Sequence, residues 1–87
     1  MRLWAREMKD NKLLRDMVVE DDSADTRTHK VFHALDEVCT AFDLSHPVWL
    51  DKTIRDFKRN AKARFYADSF VEDIPFDYLE LCIIEED

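Results

Sequence analysis

The sequence predicts an α+β domain: a three-stranded sheet in the order β-β-α-α-β, with two helices on one face. Three observations carry this. WLDKTIRDFKRNAKARF places Leu50, Ile54, Phe57, Ala61 and Phe65 at steps of four, three, four and four, one face of an α-helix. YLELCIIEE alternates as a strand does, with Leu79, Leu81 and Ile83 on one side and Tyr78, Glu80, Cys82 and Ile84 on the other. At 87 residues the chain is the size of one domain, spanning 1–87. Two helices on one face of a small sheet is then the economical layering.

The first two strands are expected at residues 2–8 (RLWAREM) and 13–20 (LLRDMVVE). The KDNK between them reads as a hairpin turn, because Asp10 and Asn11 tolerate positive φ best after glycine. EDDSAD is a polar break in which Ser23 or Asp25 is expected to cap a helix over residues 26–42. Val31, Leu35, Val38 and Phe42 form its inward stripe, while His29, His33, Asp36 and Thr40 point away. Pro47 biases His46 toward extended backbone, so residues 47–50 read as a connector with Asp51 as the next N-cap. The second helix starts at Lys52, reaches about Asn60, and its stripe permits continuation to Tyr66. Pro75 forbids a regular helix through YADSFVEDIPFD, leaving a short helical turn and a packed loop.

Composition excludes whole classes of function. Charged residues are 38% and apolar residues 46% of the chain, a globular balance with a heavily charged surface. Glycine is absent, where about 7% is usual. P-loops, GxGxxG turns and GxSxG elbows all need backbone positions only glycine takes freely, so nucleotide chemistry by those routes is not expected. No apolar run approaches the ~20 residues that span a bilayer, and MRLWAREMKD is too charged for a signal peptide. The expectation is cytoplasmic residence without a membrane. Cys39 and Cys82, far apart and outside any CxxC pair, read as reduced and packed.

The net charge of −7 is unevenly spread. Residues 52–64 hold six basic residues against the single acid Asp56, and residues 68–87 hold eight acids and no Lys or Arg. Lys52, Arg55, Lys58, Arg59 and Lys62 fall on the outer arc of the second helix and form the candidate partner-binding stripe. They would suit phosphates or an anionic protein, or pair internally with the acidic stretch. The negative total and the lack of a nucleic-acid-binding motif disfavour nucleic acid.

WLDKTIRDFKRNAKARF and DIPFDYLELCIIEED, with the opening MRLWAR and the helix DTRTHKVFHALDEVC, resemble a family of small acidic bacterial proteins over the full length. That family has no assigned function. The resemblance implies an α/β mini-domain in a bacterial cytoplasm and supplies no catalytic or binding residues.

Other constellations have plainer readings. His29 and His33 at i and i+4, with Asp36 a turn further on, have metal-ligand spacing. HKVFH lacks the glutamate of HExxH, and the face points to solvent, so an unliganded pair is expected. Asp73, Asp77 and Glu80 match no calcium loop and read as a solvated rim. Ser45 and His46 are adjacent only in sequence, which does not make a triad.

The functional expectation is a non-enzymatic protein-interaction module that needs no cofactor or metal. The rivals are a nucleic-acid-associated accessory protein using residues 52–64 and an acidic nucleic-acid mimic. Helices on the Leu79 face would leave Trp4, Met8, Val18, Cys82 and Ile84 as an apolar patch on the second sheet face. Such a patch invites a two-fold homodimer.

Overall fold

The computed structural model describes residues 1–87. Strands β1 (Arg2–Lys9) and β2 (Lys12–Glu20) form an antiparallel hairpin. Asp10 and Asn11 turn it at φ 53° and 63°, left-handed backbone that this glycine-free chain gives to Asp and Asn. Helix α1 (Arg27–Phe42) buries Val31, Leu35, Val38 and Phe42 together with Ala34 and Cys39. Its N-cap is Thr26, whose hydroxyl accepts from the His29 N–H at 3.2 Å, and not Ser23 or Asp25. The Asp25 carboxylate instead receives the Thr26 N–H at 2.8 Å. Asp43, at φ 55°, ends the helix, and the Leu44 N–H returns to the Cys39 carbonyl at 2.9 Å.

Helix α2 (Asp51–Asn60) starts one residue before the expected Lys52, so Asp51 lies in the first turn, where its charge suits the positive end of the dipole. Leu50 takes the N-cap position without a side-chain bond. The helix ends firmly at Asn60, because Ala61 turns left-handed at φ 54°. There the expected topology fails. Residues 62–65 are strand β3 (Lys62–Phe65), paired antiparallel with strand β4 (Tyr78–Glu85). The sheet therefore has four strands in the order β2-β1-β4-β3, and not three, and the chain runs β-β-α-α-β-β. The stripe that suggested one long helix is shared between a helix and a strand. Lys, Ala and Arg favour helix locally, but pairing with β4 decides the outcome. The Ile83 N–H takes the Ala61 carbonyl at 3.0 Å, and Ala63 and Phe65 go fully inward.

The register sorts every strand residue onto one of two faces. Three rows face the helices: Val19–Leu3–Ile83, Met17–Ala5–Leu81–Ala63, and Arg15–Glu7–Leu79–Phe65. Four rows face away: Glu20–Arg2–Glu85, Val18–Trp4–Cys82–Lys62, Asp16–Arg6–Glu80–Arg64, and Leu13–Met8–Tyr78. A bulge beside Glu7 and Met8 leaves Leu14 without a partner on β1. Both helices lie on the first face, over one core that includes Leu3, Val38, Phe65, Leu79 and Leu81.

At the end of that core the buried Glu7 is paired with Arg15, whose side chain reaches the surface. Arg15 donates to both carboxylate oxygens of Glu7, at 2.8 and 3.0 Å, and to the Phe42 carbonyl at 2.7 Å. The cation thus neutralises a buried acid and caps the negative end of α1. The hydrogen bond to Glu7 raises the Arg15 pKa above its ordinary value, despite some desolvation.

The segment after β3 makes a short 3₁₀ turn (Ala67–Ser69) and then a packed loop. Phe70 and Phe76, edge to face at 6.0 Å, join the helix-side core, so this segment does not fold over the open sheet face. No helix is long and apolar enough to cross a membrane.

Candidate interaction surfaces

The basic stripe does not survive as one surface. Lys52 is paired with Asp68 at 2.8 Å. Lys62 has left the helix altogether: it sits on β3, on the open sheet face beside Cys82. Arg55, Lys58 and Arg59 stay together on the exposed arc of α2, and none has an acid within ion-pair distance. Of the six basic residues in 52–64, Arg64 is also engaged, donating to Glu80 at 2.9 Å. Three unpaired cations therefore remain on α2, and a fourth, Lys62, is unpaired on β3.

These three border a feature that periodicity did not reveal. The buried residue of α2 is Thr53, with Phe57 half-buried, so the helix is rotated from the expected phase. Ile54 turns away from the core and stays 37% exposed. On α1, Phe32 is 45% exposed. Between them runs a groove of about 300 Å³, lined by Arg27, Thr28, Val31, Phe32, Trp49, Ile54, Phe57 and Lys58. Trp49, from the extended connector, forms its floor through edge-on aromatic contacts. Its ring lies 6.0 Å from Phe32, 5.6 Å from Phe57 and 5.0 Å from Phe65, which ties the groove to the core. Arg27 spreads over the Phe57 ring at 5.3 Å and pairs with Glu86 at 3.1 Å. The sequence signal was an apolar arc on α1 too wide for one contact, since Phe32 adjoins Val31. Which part of that arc faced water depended on where α2 would lie.

The open sheet face holds the five residues expected to self-associate. Val18, Trp4 and Cys82 share one row, Ile84 follows along β4, and Met8 lies two rows from Trp4, four residues along β1. Val18 and Ile84 are exposed, and the others are half-buried. They do not form one contiguous apolar patch, because the row Asp16–Arg6–Glu80–Arg64 passes between Met8 and the rest. Its charges alternate in sign across all four strands. Arg6 pairs with Glu80 from one side and Arg64 from the other. The guanidinium of Arg6 lies over the Trp4 ring at 4.2 Å and that of Arg64 over Tyr78 at 4.8 Å. The Trp4 indole N–H donates to Asp16 at 2.8 Å.

Glu80 is fully buried beneath these side chains. Burial opposes its charge, but hydrogen bonds from Arg6 and Arg64 outweigh that and hold the carboxyl below its ordinary value. The expected solvated rim is thereby corrected at Glu80, while Asp73 and Asp77 are exposed. Glu80 belongs to the ladder, and Asp77 accepts the Asp10 N–H at 2.8 Å across the hairpin turn.

The remaining titratable groups are dispersed. His29 Nδ1 lies 2.8 Å from Asp25, whereas Asp36 pairs with Nε2 of His46 at 2.5 Å, so the three expected metal-spaced residues do not converge. No group of three or more His, Cys, Asp or Glu side chains is placed to hold a metal ion. Cys39 is buried, which pushes its thiol up to about 11, and neither cysteine is in a disulfide. Comparisons with protein-family models, curated proteins and solved structures returned no match.

Proposed function

We propose that the chain is a protein-interaction module with no chemistry of its own, and that the groove between α1 and α2 is its docking site. One observation carries this reading. Phe32 and Ile54 stay in water on either side of the half-buried Trp49, in a chain whose other large aromatic side chains mostly reach the core. An exposed aromatic cleft rimmed by polar residues has the make-up of a binding site, and Trp, Phe and Arg are the residue types that dominate interface energetics. The packing of Trp49 against Phe57 and Phe65 supports the same reading, since a cleft held by packed side chains costs a partner less ordering.

A photoreactive residue placed at Ile54 in cells of the source organism tests it. The expected result is a discrete adduct that disappears when Phe32→Asp is added. Val71, which is 88% exposed and outside the groove, is the control position. Equal labelling from Val71, or none from Ile54, would reject the groove.

Self-association through the open sheet face is the second reading. Its support is the exposure of Val18 and Ile84 beside Trp4 and Cys82. Light scattering across a dilution series measures it. A mass above 10.4 kDa that Ile84→Glu returns to the monomer value supports a dimer, and a constant 10.4 kDa removes it.

A further inference from the structure

We infer that the partner of the interhelical groove is an acidic amphipathic helix, which lays apolar side chains between Phe32 and Ile54 and sets carboxylates against Arg55, Lys58 and Arg59. The inference rests on the docking reading above and adds the chemistry of the occupant.

The charge argument comes first. The chain as a whole is strongly acidic, yet Arg55, Lys58 and Arg59 have no acid within ion-pair distance. Lys58 is in the groove wall, and Arg55 and Arg59 follow it around the outer arc of α2. At the mouth, Arg27 already holds a carboxylate, that of Glu86. A partner bearing acids beside its apolar stripe gains at the three unpaired cations of α2, and a basic partner loses at each. The chain's net charge of −7 acts at longer range by repelling generic polyanions, so an acidic partner gains only where unpaired cations are gathered, as on this arc of α2.

The shape argument decides the partner's backbone. Val31, Phe32, Trp49, Ile54 and Phe57 line the groove with carbon, and its walls are helices whose backbone groups are already bonded within them. An extended peptide pressed into such a cleft would turn its own N–H and C=O groups toward aromatic rings, unpaired. A helix arrives with those bonds made and offers side chains at i, i+3, i+4 and i+7. Extended partners would belong at the free edges of β2 or β3, not here.

Selection of displayed peptides of about 15–20 residues, a length that supports helix, against the whole chain tests this. The expected winners carry an apolar i, i+3/i+4, i+7 stripe flanked by Asp and Glu, without internal proline. Their binding should vanish with Phe32→Asp, weaken about fivefold or more with Arg55→Glu plus Lys58→Glu, and weaken with added salt. The four substitutable positions Phe32, Ile54, Arg55 and Lys58 are all exposed, so the variants keep their core. Winners that need Phe32 but are neutral, basic or proline-broken overturn the acidic-helix inference and leave the groove standing as a docking site. No winners, or winners indifferent to Phe32→Asp, overturn both.

Discussion

Glu80 lies directly opposite Arg6 across the β1–β4 ladder, and the two pair beneath the surface of a sheet face that no helix covers. Arg64 completes the triad from β3. The consequence is a buried acid whose pKa is depressed in the folded chain. Its contribution to stability is therefore present above the ordinary glutamate value of 4.5 and is lost as pH falls through the lower folded value. Glu80→Gln should cost about 2 kcal/mol at neutral pH, below the ~3–5 typical of a broken buried pair, because Arg64 is 44% exposed and keeps its hydration. The variant should also lose less stability on acidification than wild type. Urea melts of both proteins at neutral and acid pH measure the two effects. Equal acid sensitivity would show that Glu80 is not the group titrating.

Phe65→Ala and Phe57→Ala separate the long-helix reading from the observed helix-then-strand. Phe65 is fully buried on β3, so its loss should cost about 3–5 kcal/mol, most of what a domain of this size has. Phe57 is half-buried at the groove, and its loss should cost about 1–2 kcal/mol. Thermal melts of the two variants decide. Equal costs would mean that both rings share one helical face.

Much of this fold was legible because local and tertiary preferences agree. Asp10 and Asn11 announce the hairpin, since few residues accept φ of 53° and 63°. The α1 stripe and the alternation of β4 also read correctly, each being a single pattern with one solution. Strand β3 was not legible. Its four residues, KARF, favour helix, and Ala61 carries no visible stop signal, although it is the residue that turns the chain. The groove was hidden for a related reason. Ile54 fits an inward stripe, and only the burial of Thr53 shows the true phase of α2. The Arg6–Glu80–Arg64 row was illegible because it needs the register of β3, a segment whose pattern permitted continuation of the second helix and announced no strand.

Ala61 offers a stabilising substitution. A left-handed alanine costs about 1–2 kcal/mol, and glycine removes that cost while adding about 0.5–1 kcal/mol of chain entropy to the unfolded state. Ala61→Gly should therefore stabilise by about 0.5–1 kcal/mol and raise the melting temperature by roughly 2–6 °C. Ala63→Gly, two residues on, should do the opposite, because Ala63 is buried in β3 with ordinary strand backbone. Melting curves that show both changes destabilising would place Ala61 inside a continuing helix.

The nucleic-acid reading of α2 now has a numerical limit. Lys52 is held by Asp68, Arg64 by Glu80, and Lys62 sits on β3 opposite Cys82, off the helix. On α2 only Arg55, Lys58 and Arg59 remain to meet phosphates. At −0.9 per phosphate contact, three cations give a slope of log affinity against log salt of about −2.7. Proteins that hold duplex DNA through backbone contacts alone engage more phosphates than that, and this chain adds a net charge of −7 that repels the polymer. The expected result is no complex with duplex DNA or structured RNA at about 150 mM salt, and any low-salt association should follow the shallow slope. Fluorescence anisotropy with labelled oligonucleotides across a salt series measures it. A complex that persists at physiological salt, with a steeper slope and a loss of affinity on Arg55→Ala, would mean that phosphates reach cations beyond these three, such as Lys62 or a Lys52 released from Asp68.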